Sequence, residues 1–261
     1  MKIKEIVAAA ALAALATLPL NAQKTRTLHV VTTGDVHGAW FDDPYVKGRQ
    51  RTSLFSVMHY VDSLRNAVGA GNVLLLDAGD CLQGDNATYY FNYVRTDTLH
   101  AYPRLAKYMG YDAVAVGNHD METGHPVYDK VRTELAANGI PWLAANTPTP
   151  DGSSYFQPYA MFRRAGAKVA VIGFTNPAMH TWLSDELLSG MEFTSLLPAV
   201  QETVDAVRAK EKPDVVLVVV HSGSGEGDGS SLESQGLDLL QTLKGADMIL
   251  IPRPQAAGGR K

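Results

Sequence analysis

Residues 112–124 read DAVAVGNHDMETG. Ala113–Val116 is a short apolar run bounded by a glycine, the pattern of a buried strand. Gly117, Asn118, His119 and Asp120 follow it directly. An amide oxygen is a neutral ligand for a cation, and an imidazole can give or take a proton. Where a strand ends in such residues, the question is whether other strands end the same way.

Working outward, apolar runs alternate with segments of helical spacing. Strands are expected over 28–32, 72–76, 113–116, 141–145, 168–174, 215–220 and 248–251. Helices are expected over 53–68, 102–109, 126–138, 197–210 and 234–243. Leu54, Val57, Met58, Val61 and Leu64 repeat at a helical period, and residues 215–220 are five valines and a leucine. Strands without a polar face, separated by helices, indicate an α/β protein with a largely parallel, buried sheet. In such sheets ligands collect beyond the carboxyl ends of the strands.

Four strand ends carry suitable residues. The first gives Asp35 and His37 in HVVTTGDVHG. Two residues apart, they point the same way if the segment is extended. The second gives Asp77 and Asp80 in VLLLDAGDCLQG, where Asp80 could bridge two cations. The third gives Asn118 and His119, and the last gives His221 directly after the valine run. Each alone is weak, since a lone Asp caps helices and a lone His is commonly structural. Together they form a mixed oxygen and imidazole donor set for divalent cations, without choosing among Mn, Zn, Fe, Co and Mg. Cys81, the only cysteine, is expected to be a small buried residue rather than a nucleophile.

As an ordered set, GDVHG, GDCLQG, GNHD and the strand-terminal His221 resemble the calcineurin-like metallophosphoesterases, in the branch of secreted 5′-nucleotidases and 2′,3′-cyclic-nucleotide phosphodiesterases. The resemblance implies a two-sheet sandwich flanked by helices, four layers in α/β/β/α order. It implies two divalent metal ions, with Asp35 and His37 on the first, Asp80 bridging, and Asn118 and His221 on the second. It also implies that His119 acts on the phosphate. In the nucleotidase branch a carboxylate three residues beyond that histidine orients it, which here is Glu122. Asp120 and Asp77 are weaker candidates, Asp77 with a structural role. The implied substrate is a small phosphoester, a nucleotide among them, and the reaction a metal-dependent hydrolysis.

The same resemblance places a Gly-His-x-His segment after the final strand. Here Pro252, Arg253, Pro254 and Gln255 stand there, so five of seven implied ligand positions are matched. The expectation is a catalytic domain over 23–251 interrupted before its last motif, followed by an irregular tail over 252–261. Two alternatives stay open: an inactive truncated relative that binds metal or phosphate only, and an exported solute-binding protein.

At the other end, Lys2 and Lys4 precede an Ala/Leu-rich run to Leu20, and Ala22 offers a small residue for cleavage. This is the layout of a signal peptide over 1–22, implying a periplasmic or secreted protein with no membrane anchor after cleavage. Composition is ordinary, with 46% hydrophobic and 19% charged residues and a net charge of -4. No basic stripe suggests a nucleic-acid duplex as partner.

Overall fold

The computed structural model describes residues 25–42 and 53–252. The expected signal peptide and the tail from 253 onward lie outside these residues.

Two four-stranded sheets form the centre. The first contains β1 (His29–Thr33), β2 (Val73–Asp77), β3 (Ala113–Ala115) and β4 (Trp142–Leu143), side by side in that order and all parallel. The second contains β5 (Tyr159–Arg164), β6 (Ala167–Phe174), β7 (Val215–Val220) and β8 (Met248–Leu250), again in chain order. Here β6, β7 and β8 are parallel and β5 pairs antiparallel with β6.

The layers follow from the two-residue alternation of side chains along a strand. Leu74 and Leu76 of β2 and Ala113 and Ala115 of β3 face the second sheet. They pack there on Val169, Val171, Leu217 and Val219. Leu75 and Val114 point the other way, onto α1 (Leu54–Val68), α2 (Ala101–Met109) and α3 (His125–Ala137). On the far side Ile172, Phe174, Val216, Val218 and Val220 meet Leu196, Val200, Val204 and Val207 of α4 (Leu196–Glu211). Leu239 of α5 (Gly236–Thr242) joins them. The result is the α/β/β/α sandwich, and burial on both faces explains the unbroken apolar runs of β2, β3 and β7, whereas β8 is an edge strand with Met248 exposed.

The inter-sheet layer holds the two halves of the molecule together. Leu76 is 1% exposed within it. Leu76→Ala removes three carbons from a site that cannot collapse, and is expected to lower unfolding free energy by about 3 kcal/mol. Urea denaturation monitored by circular dichroism measures this.

β5 was not expected. It is an edge strand of mixed burial, joined to β6 by a tight turn in which Ala165 (φ 52°) and Gly166 (φ 73°) both have positive φ. That is the geometry of a two-residue hairpin. Its sequence, YAMFRR, lacks the unbroken apolar character of the buried strands. The helical segment 86–94 was also unforeseen, and α5 is shorter at both ends than its pattern implied.

Because β1, β2, β3, β6, β7 and β8 run parallel within their sheets, their carboxyl ends bring Asp35, Asp80, Asn118, Asn176, His221 and Pro252 around one small cavity of about 150 Å³.

Candidate metal centre

Asp80 sits at the middle. It is 3% exposed and lies in the loop after β2 with φ of 64°. Its Oδ1 accepts the His119 backbone N–H at 2.9 Å, and its Oδ2 lies 3.2 Å from His221 Nε2 and 3.9 Å from His37 Nε2. His221 Nδ1 is 2.8 Å from the Ala78 carbonyl, and Nε2 is 3.0 Å from Asn118 Oδ1. The Ala78 contact fixes Nδ1 as the protonated nitrogen and aims Nε2 at the carboxylate and the amide.

Two groups of ligand atoms are close enough to hold an ion, His37 with Asp80 and His119, and Asp35 with Asp80 and His221. Asp80 belongs to both. The grouping differs from the partition implied by resemblance, since Asp35 falls with His221 and His37 with His119. The two imidazoles of the latter pair are edge to face at 5.2 Å.

The electrostatics fit a cation site. Burial raises the Asp80 carboxyl, but the hydrogen bond and charge of His221 outweigh it and hold its pKa low. Burial depresses His221, yet Asp80 and the Ala78 carbonyl lift it to about 9. A positive charge is thus favoured where two oxygen ligands converge, and the donor set is one divalent cations accept. Backbone strain is concentrated here too. Asp35 (φ 49°), His37 (φ 47°) and Asp80 account for three of the five non-glycine positive-φ residues among those described. Such conformations persist where surrounding structure demands them. The 35–37 segment is therefore not extended. The two side chains reach the same cavity because each residue is turned back, not because they alternate along a strand.

Behind the ligands, Asp120 is fully buried and accepts four backbone N–H groups: Gly117 (2.9 Å), Asp80 (3.0 Å), Cys81 (2.8 Å) and Leu82 (2.9 Å). It ties the loop after β2 to the loop after β3. Burial and the adjacent Asp80 push its pKa up to about 7, against the pull of those donors. Gly117 permits the approach, since a Cβ there would lie 2.3 Å from the Asp80 backbone nitrogen. Asp77 is buried beneath, accepting from the Thr33 hydroxyl, Gly79 N–H and Cys81 Sγ. Burial and the Asp77 charge push the Cys81 thiol well up, which makes it unreactive.

Residues 118–121 form a single helical turn after β3. A spacing of three on a helix puts His119 and Glu122 on one side, and His119 Nδ1 lies 2.7 Å from Glu122 Oε1. The contact is a close charge pair rather than an aligned hydrogen bond. Burial lowers the His119 pKa, but Glu122 and Asp80 together raise it. Glu122 stands behind the imidazole and does not line the cavity.

Sequence reasoning passed over Asn176, Ser222 and Glu233, which also line the cavity. Asn176 follows β6, so the strand-end rule applied to that strand would have found it. Its Nδ2 donates to the Glu233 carbonyl at 2.9 Å, pinning the loop that closes this side. Glu233 lies in a Ser- and Gly-rich loop with no local signal.

A family model for calcineurin-like phosphoesterases matches residues 28–251. Over 232 residues the chain is 31% identical to a 5′-nucleotidase of Vibrio cholerae, covering 85% of this chain and 39% of that one. Over 260 residues it is 30% identical to Protein UshA of Salmonella pullorum, with 95% and 44% covered. It therefore spans about two fifths of the length of these curated relatives. Among solved structures, calcineurin-like phosphoesterase YfkN from Bacillus subtilis superposes with a TM-score of 0.76 at 25% identity, over 89% of this chain and 75% of that one. A putative 5′-nucleotidase from Staphylococcus aureus gives 0.72 at 22% identity, with 85% and 44% covered. With the two-sheet sandwich and a family model matched over nearly all the described residues, the chain belongs to the calcineurin-like phosphoesterase family.

Proposed function

We propose that this chain hydrolyses small phosphoesters, nucleotides among them, at a centre of two divalent cations. Asp35, His37, Asp80, Asn118 and His221 would hold the cations, and His119 with Glu122 would act on the phosphoryl group. The observation that carries this reading is Asp80, a buried carboxylate common to both groups of ligand atoms. The nucleotide preference rests on the relatives named as 5′-nucleotidases. An exported location rests on the pattern of residues 1–22. Among the described residues no helix is long and apolar enough to cross a membrane.

Bound here, divalent cations supply the Lewis acidity that polarises a phosphoryl oxygen and lowers the pKa of a water. The chain's own residues do the rest. Asp80 and His221 hold each other in place before any ligand arrives. His119, its pKa raised by Glu122 and Asp80, lines the cavity, and its protonated form would give a proton to the departing ester oxygen. Glu122 would orient that imidazole and favour its protonated form. Glu122→Gln, which keeps size and removes charge, is expected to lower kcat roughly 10- to 100-fold with metal content unchanged. Steady-state kinetics beside metal analysis checks both halves.

Pro252 borders the same cavity and offers no side-chain ligand, which favours a second reading. In it, the chain binds metal or phosphate without turnover. The deciding experiment is hydrolysis of bis-(p-nitrophenyl) phosphate and 5′-AMP by protein titrated with Mn²⁺. Release that requires Mn²⁺ and stops with chelator supports hydrolysis. Retained Mn²⁺ without release supports the second reading, and no retained Mn²⁺ rejects the proposed metal centre.

A further inference from the structure

Outside the strand-end cavity, the start of α3 and the turn over 185–190 bring a hydroxyl, an imidazole and a carboxylate into line. His125 Nε2 lies 2.9 Å from Ser189 Oγ, and its Nδ1 lies 2.9 Å from Asp129 Oδ2. His125 and Asp129 are four apart, so one face of the helix carries both. An ionised carboxylate only accepts, which places the ring proton on Nδ1 and leaves Nε2 to accept from the Ser189 O–H. None of the three lines the strand-end cavity.

Both ends of this line are braced. Asp129 Oδ1 accepts the Tyr155 hydroxyl at 2.6 Å and lies 3.3 Å from Arg132 Nη2, so both carboxylate oxygens are committed. Arg132 in turn donates to the Tyr155 carbonyl at 2.7 Å and lies over the Tyr155 ring. At the other end, the Leu187 carbonyl accepts the Tyr128 hydroxyl at 2.7 Å, and Leu188 is buried. Ser189 is left exposed on this fixed base, and Gly190 follows with φ of 77°. Among the described residues the Gly190 N–H has no acceptor. The N–H of the residue after a nucleophile is one place where an oxyanion is held.

A single hydrogen bond would suffice to fasten the turn. Serine O–H to Nε2 and Nδ1–H to carboxylate, in that order, is instead the arrangement that activates a serine, and it is recognised by geometry and roles rather than by chain position. We infer that Ser189, His125 and Asp129 form a second hydrolytic site, independent of metal, that takes small carboxylic esters. Ser189 Oγ attacks the ester carbonyl carbon as its proton passes to His125 Nε2. The tetrahedral adduct breaks its bond to the alkoxide, which leaves with that proton. Water then attacks the acyl-serine, giving a proton to the same nitrogen. The acid departs, and Ser189 Oγ takes the proton back. Ser189 and His125 are the catalytic pair, and Asp129 positions the imidazole.

The test uses the full chain treated with chelator. A fluorophosphonate is expected to modify Ser189, read by mass spectrometry of tryptic peptides, roughly 100-fold faster than in His125→Gln. Turnover of p-nitrophenyl acetate should be lost in Ser189→Ala, while any Mn²⁺-dependent hydrolysis of bis-(p-nitrophenyl) phosphate stays as in the parent. Asp129→Asn is expected to lower kcat on the acetate with KM unchanged, and it repeats the labelling comparison should His125→Gln misfold. Circular dichroism establishes which variants are folded. No adduct on Ser189 overturns the site. So does an equal labelling rate in the folded His125 or Asp129 variant, which would make Ser189 an ordinary exposed hydroxyl. An adduct that forms only with Mn²⁺ present would assign the reaction to the metal centre and also overturn it.

Discussion

The Asp80→Asn protein is expected to lose hydrolysis of bis-(p-nitrophenyl) phosphate by about 10³-fold or more, and to retain less Mn²⁺ than the parent. The substitution conserves shape. Asn Oδ1 can still accept the His119 N–H, so the loop should keep its course. What is lost is the charge shared by both ligand groups and the anion opposite His221 Nε2. His221 at about 9 is held there by Asp80, so its imidazole would lose most of its reason to be charged. Metal analysis after gel filtration reads the ligand effect independently of turnover. Full activity in this variant would exclude Asp80 as the bridge and with it the proposed centre.

The second large effect is expected at Asp120, which stands outside the proposed ligand set. Asp120→Ala removes the acceptor for four backbone N–H groups in a fully buried place. Leaving a buried donor unpaired costs about 1–3 kcal/mol. Water entering the space would recover part of this, so the expected loss is about 5 kcal/mol. Domains have only about 5–15 kcal/mol of stability in total, so the variant should be marginally folded. Urea unfolding measures the loss, and a change under about 1 kcal/mol would show that Asp120 does not hold the two loops together. The prediction is sharp because alanine introduces no clash and no charge, only unmade hydrogen bonds.

The contrast between Asp80 and Asp120 shows what could be read in advance. Asp80 was legible because it follows an unbroken apolar run, VLLLD, and parallel sheets gather their strand ends on one rim. The same logic located Asn118 and His221 and would have located Asn176. Asp120 is only a weaker candidate in the sequence because its role depends on donors about forty residues away, delivered by the neighbouring strand. Nothing local marks a carboxylate as an acceptor for another loop. β5 escaped for a related reason, since an edge strand needs one partner and one half-buried face and so carries a diluted pattern.

The amino-acid sequence by itself determined the alternation of strands and helices, the buried character of β2 and of most of β7, and the donor chemistry at each strand end. These depend on residue type and short spacing, which are local properties. Only the tertiary structure decided that Asp35 and His37 converge through positive-φ turns and that Asp35 groups with His221 rather than with His37. Those outcomes depend on how two sheets stack and how loops more than a hundred residues apart meet, as His221 meets Ala78. Distance of that kind is set by packing of the whole core, which no short stretch of chain encodes.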